Sequence, residues 1–165
     1  MNTIKHTNKK ISIIAPFFNE EESLPIFLEE VLNIAEELGE YNFEIIFIDD
    51  GSTDNSLVFL KEKAKENKNI IVLELSRNFG KEAALTAGID MAVGSAIIPI
   101  DVDLQDPPIL IKKMIKQWES GSDVVLAKRE NRSNENFLKR ISASFFYKIY
   151  SFFVGNSKIS NVGDF

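Results

Sequence analysis

Asp101 and Asp103 stand one residue apart after the apolar run Ile97-Ile98-Pro99-Ile100, and the segment closes at Pro107-Pro108. In an extended chain residues i and i+2 project to the same side, so the two carboxylates can converge on one cation. Hard oxygen ligands suit Mg²⁺ or Mn²⁺, and two carboxylates leave coordination positions free for the phosphates of a nucleotide diphosphate. Acid pairs of this kind are common, and most are merely solvated. Three features set this one apart: the buried-strand pattern before it, Gln105 as a further oxygen ligand, and a second acidic pair, Asp49-Asp50, after the apolar run Phe43 to Ile48. At a strand's C-terminal edge, Asp49 or Asp50 can accept hydrogen bonds from a base N–H or a ribose hydroxyl. Lys81 can reach a phosphate or stay solvated. Arg129, after a further strand pattern, can hold a diphosphate bidentately.

These groups need a scaffold, and the chain supplies one by alternating two periods. Ile11 to Ala15, Phe43 to Ile48, Ile70 to Leu75, Ile97 to Ile100 and Asp123 to Ala127 read as five strands. Between them lie helical patterns. Leu24, Phe27, Leu28, Val31, Leu32, Ala35 and Leu38 form one apolar face, with Ser23 as N-cap, Pro25 in the first turn and Gly39 as the stop. Asp54 or Asn55 caps a second helix running to about Glu66. A third, from Lys81 to Val93, is rich in small residues that permit close packing and is closed by Gly94. Pro107 and Pro108 open a fourth, with Ile109, Leu110, Met114 and Trp118 as its buried residues. Strands alternating with helices imply a parallel, doubly wound α/β sheet.

After a polar loop from Asn131 to Asn136 the character changes. From Phe137 to Val154 the pattern is helical and strongly aromatic (Phe145, Phe146, Tyr147, Tyr150, Phe152, Phe153), interleaved with Lys139, Arg140 and Lys148. Such a helix can lie in a membrane surface with its cations at headgroup phosphates. It can equally be a core helix, or the contact of a homo-oligomer.

Composition bounds the rest. The 165 residues are enough for one domain with a proper core, and 44% hydrophobic with 27% charged residues is ordinary for a globular chain. The absence of cysteine excludes disulfides and thiolate metal sites. No signal peptide and no membrane-length apolar run are expected from the sequence. Residues 128–165 hold seven Lys or Arg against three acids, so the net charge of −6 divides into +4 there and −10 before it. The acidic body argues against nucleic acid, and the basic end favours an anionic surface or a phosphate.

Taken in order, Pro16-Phe17-Phe18-Asn19-Glu20, Asp49-Asp50-Gly51-Ser52, Arg77-Asn78-Phe79-Gly80-Lys81, Asp101-Val102-Asp103-Leu104-Gln105 and Val162-Gly163-Asp164-Phe165 resemble the inverting family 2 glycosyltransferases of GT-A fold. More narrowly they resemble the polyprenyl-phosphate branch, of the dolichyl-phosphate mannose synthase and bactoprenol glucosyltransferase type. The resemblance covers about residues 11–165. It implies a Rossmann-like, mostly parallel sheet flanked by helices, with residues 1–135 as nucleotide-sugar-binding core. Residues 136–165 would be an amphipathic aromatic helix and the start of an acceptor-side segment. It further implies that Pro16, Phe18, Glu20, Asp49, Asp50, Lys81, Asp101 and Val102 line the donor pocket. Asp101, Asp103 and Gln105 would hold the metal, Arg129 would meet a phosphate group, and Asp164 occupies a candidate-base position. At Phe18 many relatives carry Tyr, a loss of one hydroxyl.

The implied reaction moves a sugar from a nucleotide diphosphate donor to polyprenyl phosphate. UDP-glucose is the first choice from Val162-Gly163-Asp164-Phe165, with UDP-GlcNAc, UDP-galactose and GDP-mannose open. The lipid phosphate, with a second pKa of about 6, is already an anionic nucleophile at neutral pH, so Asp164 is expected to orient rather than deprotonate. Relatives continue with an arginine-bearing segment and commonly two membrane helices. Neither is in this sequence, so the expectation is a catalytic fragment of low activity from a protein held at the cytoplasmic face of a membrane. Three rivals remain: the same fold acting on a soluble saccharide, a non-catalytic nucleotide or lipid module, and a haloacid-dehalogenase-like phosphotransferase. The last places its Asp-x-Asp on the first strand, followed by Gly-Thr, whereas here the pair follows the fourth strand pattern.

Overall fold

A computed structural model describes residues 9–127. From Ile11 to Phe17 every residue is buried, as an apolar run without polar alternation requires of a strand covered on both faces. This strand, β1 (Lys10–Phe17), lies at the centre of a four-stranded parallel sheet. It pairs on one side with β2 (Asn42–Asp49) and on the other with β4 (Ala96–Pro99), while β3 (Ile70–Glu74) extends the sheet beyond β2. The order is β3-β2-β1-β4, all parallel, with α1 (Leu24–Glu37), α2 (Ser56–Glu66) and α3 (Lys81–Met91) as crossovers. The helix α4 (Leu110–Glu119) follows β4. The doubly wound α/β expectation therefore holds.

The two faces of the sheet carry separate cores. Ile11, Ile13, Ala15, Phe43, Ile45 and Phe47 meet Phe27, Val31, Leu60, Ile111 and Ile115 from α1, α2 and α4. Phe47 takes Phe17 and Phe27 edge-on, at centroid distances of 6.5 and 6.1 Å. On the other face Ile14, Ile46 and Ile48 pack against Ala84 of α3. Gly88 is what lets α3 come so close, since a Cβ there would lie 2.5 Å from both Ile14 Cγ2 and Ile48 Cδ1. The small-residue pattern of this helix is thus a packing requirement.

A polar network pins the N-terminal ends of the strands. Glu44, buried on β2, accepts the Ser12 hydroxyl at 2.5 Å and the Val93 N–H at 2.9 Å, and is paired with Lys10. Ser12 Oγ in turn accepts the Gly94 N–H at 2.9 Å. Burial is the largest influence on the Glu44 carboxyl and pushes its pKa up. The donors from Lys10, Ser12 and Val93 together outweigh it and hold the group below the usual glutamate value.

Several local expectations are corrected. Helix α3 ends at Met91, so Gly94 does not close it; Gly94 is needed because a Cβ there would sit 2.5 Å from Ser12 Oγ. Ser23 occupies the N-cap of α1 without capping, because its hydroxyl donates to Glu20 Oε2 at 2.7 Å. Asn55 is the N-cap residue of α2, but the side chain that accepts an amide there is Asp54, from Ser56 N–H at 3.0 Å. Helix α4 begins at Leu110, two residues after the prolines, which turns Ile111 and Ile115 into the core and leaves Ile109 48% exposed. Ile97 is 41% exposed, so β4 is not buried on both faces among the described residues.

Among the described residues no fifth strand forms: residues 123–127 are in no ladder, and Val124 and Leu126 are 75% and 63% exposed. An apolar run makes a strand only where its surroundings receive it. Residues 128–165, including Arg129, Asp164, the aromatic stretch 137–154 and the closing Val162-Gly163-Asp164-Phe165 segment, lie outside the described residues.

Candidate functional site

All four parallel strands deliver their C-terminal ends to one edge of the sheet, and the loops that leave them there build the site. The β1–α1 and β2–α2 loops are laced together. Asn19, held at φ 56°, gives its N–H to Ser52 Oγ at 3.0 Å and accepts the Thr53 N–H at 2.8 Å. Glu20 N–H donates to Ser56 Oγ, Glu21 N–H to Asp54 Oδ2, and the Glu21 carboxylate accepts both the backbone and side-chain N–H of Asn55. Burial, the largest influence on Asp54, raises its pKa. The Ser56 hydroxyl and the Ser56 and Glu21 amides overcome that and hold it below the usual aspartate value. Asp54 therefore braces the start of α2 from the position before its N-cap, Asn55.

Asp49 and Asp50 divide their work. Asp49 turns back on its own loop, accepting Ser52 N–H at 2.9 Å. Asp50 reaches across to the loop between β3 and α3, where Oδ1 accepts Phe79 N–H at 2.7 Å and Oδ2 accepts Gly80 N–H at 2.9 Å. That carboxylate lies at the positive end of α3, the favourable end for an anion. Gly80, at φ 97°, is the N-cap, and Lys81 is the first helical residue. The Lys81 ammonium crosses to Asp101 Oδ2 at 2.7 Å.

Beyond Ile100, whose N–H still bonds Ile14 O at 2.9 Å, the chain leaves the sheet and turns. Val102 is buried, Asp103 Oδ1 accepts Gln105 N–H at 3.0 Å, and Leu104 adopts φ 60°. The acids therefore sit on a loop rather than on an extended strand, and both line one cleft together with the buried Val102.

That cleft, of about 460 Å³, is lined by Pro16, Phe17, Phe18, Glu20, Asp50, Asn78, Gly80, Lys81, Ala84, Asp101, Val102 and Asp103. Eight of the residues expected there from the sequence are thus gathered around one space: Pro16, Phe18, Glu20, Asp50, Lys81, Asp101, Val102 and Asp103. Asp49 and Gln105 are not among them. Phe17, Asn78 and Gly80 stand in the motifs read from the sequence but receive no place in the pocket there, and Ala84 reads there only as a small residue for close packing. A polar, glycine-containing run between a strand end and a helix start is the signal that could have found Asn78 and Gly80.

Proline is tolerated at position 16 for a structural reason. Lys10 and Ile14 carbonyls point to the β4 side, and those of Lys9 and Phe17 to the β2 side, so position 16 faces β4, which has already ended at Pro99. A missing N–H costs no ladder bond there.

Among the described residues lining the cleft, the charged groups are four carboxylates and one ammonium. Among the described residues no group of three or more His, Cys, Asp or Glu is gathered to hold a metal ion. Asp101 and Asp103 bring to the cleft the hard oxygen donors that suit Mg²⁺ or Mn²⁺ bound together with substrate phosphates. Among the described residues no helix is long and apolar enough to cross a membrane.

Residues 12–165 match the family model described as "Glycosyl transferase family 2". The chain is 50% identical over 157 residues to the "Prophage bactoprenol glucosyl transferase homolog" of Escherichia coli (strain K12), a match covering 94% of this chain and 51% of that protein. It therefore spans about half the length of the curated relative it matches. Among solved structures, glucosyl-3-phosphoglycerate synthase from Mycobacterium tuberculosis in complex with UDP aligns over 93% of this chain and 55% of its own, with TM-score 0.63 and 19% identity. The mannosyltransferase PcManGT from Pyrobaculum calidifontis, in complex with GDP-Man and Mn²⁺, aligns over 74% of this chain and 36% of its own, with TM-score 0.55 and 22% identity. These structures share the Rossmann-like GT-A architecture read from the sequence.

Proposed function

The chain belongs to glycosyl transferase family 2, and on that premise we propose that it forms the nucleotide-sugar half of an enzyme that moves a hexose to a polyprenyl phosphate. Glucose from a UDP donor is the favoured hexose. The relative named as a bactoprenol glucosyl transferase homolog supports the lipid acceptor and the sugar. The UDP and GDP-Man complexes of the structural neighbours support a nucleotide diphosphate donor.

The observation that carries the reading is the charge of the cleft. Glu20, Asp50, Asp101 and Asp103 face a space with Lys81 as the one cation among its described lining residues. A diphosphate entering so acidic a space needs a divalent counter-ion, and Asp101 and Asp103 are the side chains that would hold it. When bound, Mg²⁺ or Mn²⁺ supplies the positive charge that stabilises the departing diphosphate. The chain's own residues do the rest. Phe18, 43% exposed at the cleft lip, offers a flat apolar surface to the base. Asp50 holds the Phe79–Gly80 turn at the mouth. Lys81 stands beside the acids with a charge for the donor's phosphates.

The acceptor phosphate attacks the anomeric carbon from the face opposite the leaving group. The bond from that carbon to the diphosphate oxygen breaks, and its electron pair leaves with the nucleotide. The acceptor is an anion before it binds, so it needs orientation more than a base. In this proposal Arg129 meets a phosphate and Asp164 orients the acceptor. Residues 137–154 are the proposed interfacial segment that would hold the enzyme at the cytoplasmic face of a membrane.

A donor screen tests the proposal. The protein is incubated with undecaprenyl phosphate, Mn²⁺ and UDP-glucose, UDP-GlcNAc, UDP-galactose or GDP-mannose, and the glycolipid is read by mass spectrometry. A UDP-glucose-dependent product is expected. Transfer to a soluble saccharide without lipid, or metal-independent transfer, would overturn it.

A further inference from the structure

Lys81 is oddly placed for a lysine. It opens α3, where the helix dipole disfavours a cation, and its stabilising partner is Asp101 at 2.7 Å. Asp101 is also one of the two carboxylates with which the proposed function, on which this inference rests, binds a divalent ion. An ammonium on one oxygen of Asp101 neutralises charge that a divalent cation would use and repels that cation. The two compete for one carboxylate.

We propose that Lys81 is an exchangeable counter-ion: it neutralises Asp101 until the donor arrives, then surrenders that carboxylate to the metal and moves to the donor's diphosphate. Three observations support the exchange. The pair is partly exposed, at 43% for Lys81 and 26% for Asp101, so it is weak enough to break. The lysine backbone is fixed at the first helical position, beside the Asp50-clamped turn, so only the flexible stem has to swing. Among the described lining residues, each of the other carboxylates already accepts a hydrogen bond: Asp50 from two backbone amides, Glu20 from the Ser23 hydroxyl and Asp103 from the Gln105 backbone amide. A diphosphate is the partner that makes release favourable. Metal and nucleotide then enter as a coupled pair: each binds poorly alone because each needs what the other brings. Thermodynamic linkage makes the effect reciprocal.

The test reads Mn²⁺ binding by electron paramagnetic resonance, with no turnover required. Wild type, Lys81→Met, Lys81→Arg and the remote control Lys61→Met are titrated with Mn²⁺ alone, with UDP and with GDP. In wild type, UDP or GDP should tighten Mn²⁺ by about tenfold or more. Lys81→Met should bind Mn²⁺ alone up to about fivefold tighter than wild type, and its nucleotide-induced tightening should shrink toward none. Lys81→Arg, which keeps the charge on Asp101, should bind Mn²⁺ alone no better than wild type. Lys61→Met, which loses an exposed pair with Glu74, should match wild type. Unchanged or weaker Mn²⁺ affinity in Lys81→Met, undiminished coupling, or an equal shift in the Lys61 control would each overturn the exchange while leaving the proposed function intact. Absence of Mn²⁺ binding in every protein and condition would remove the metal-dependent reading with it.

Discussion

Gly51 and Arg77 meet backbone to backbone: a Cβ on Gly51 would lie 2.6 Å from the Arg77 carbonyl carbon. Gly51 also adopts φ 77°, so the loops leaving β2 and β3 can touch only where this residue has no side chain. Asp50, its neighbour, then clamps Phe79 and Gly80. One side of the cleft is therefore set by backbone contact, with little freedom to adjust.

Substituting Gly51→Ala should accordingly cost roughly 3 kcal/mol, from left-handed strain together with overpacking against backbone that cannot swing aside. Chemical denaturation measures the loss. Nucleotide affinity should fall with it, because the displaced loop carries Asn78 and Lys81.

Asp50→Asn keeps shape and removes charge. The amide has one acceptor oxygen where two backbone N–H groups wait, so one of them loses its partner at a cost of about 1–3 kcal/mol. Calorimetric titration with UDP and Mn²⁺ should show about tenfold weaker binding, one decade per 1.4 kcal/mol. Binding equal to wild type would show that the clamp does not shape the cleft.

Glu44 predicts an acid response. Its carboxyl titrates below the ordinary 4.5 in the folded protein. The stability it contributes is present above 4.5 and drains away as pH falls through the lower folded value. Asp54 adds to the loss in the same direction from 3.8 downward. Urea midpoints between pH 7 and pH 3 should therefore decline for wild type. Glu44→Gln should start lower at pH 7 and decline less steeply.

Asp103→Ala should abolish glycolipid formation, since it removes one of the two carboxylates proposed to hold the metal. Asp164→Asn should leave measurable turnover, because the acceptor phosphate needs no deprotonation. Equal loss in both variants would overturn the orienting role assigned to Asp164.

The buried strands and the acids at their ends were legible because two signals coincided: unbroken apolar runs, and polar residues placed where those runs stop. What the sequence hid was where helices begin and which side chains answer one another. Pro107-Pro108 marks a boundary, but only the fold places the first helical turn at Leu110, and a two-residue shift exchanges Ile109 for Ile111 in the core. Ser23 reads as a cap, yet Glu20 competes for its hydroxyl and wins. Val124 to Leu126 has strand-like residues without a ladder, because β-propensity expresses the surroundings more than the residue. Lys81 was recognised as able to reach a phosphate, but its pairing with Asp101 spans 20 positions and no local pattern encodes it.

Pro16 has an effect that outlasts any one substrate. Its imide nitrogen has no proton to give toward the neighbouring edge, so a β4 lengthened by mutation or insertion would find one donor missing from the ladder at that height. The mouth between the two strands is thus biased to stay open by the chemistry of a single ring as well as by shape.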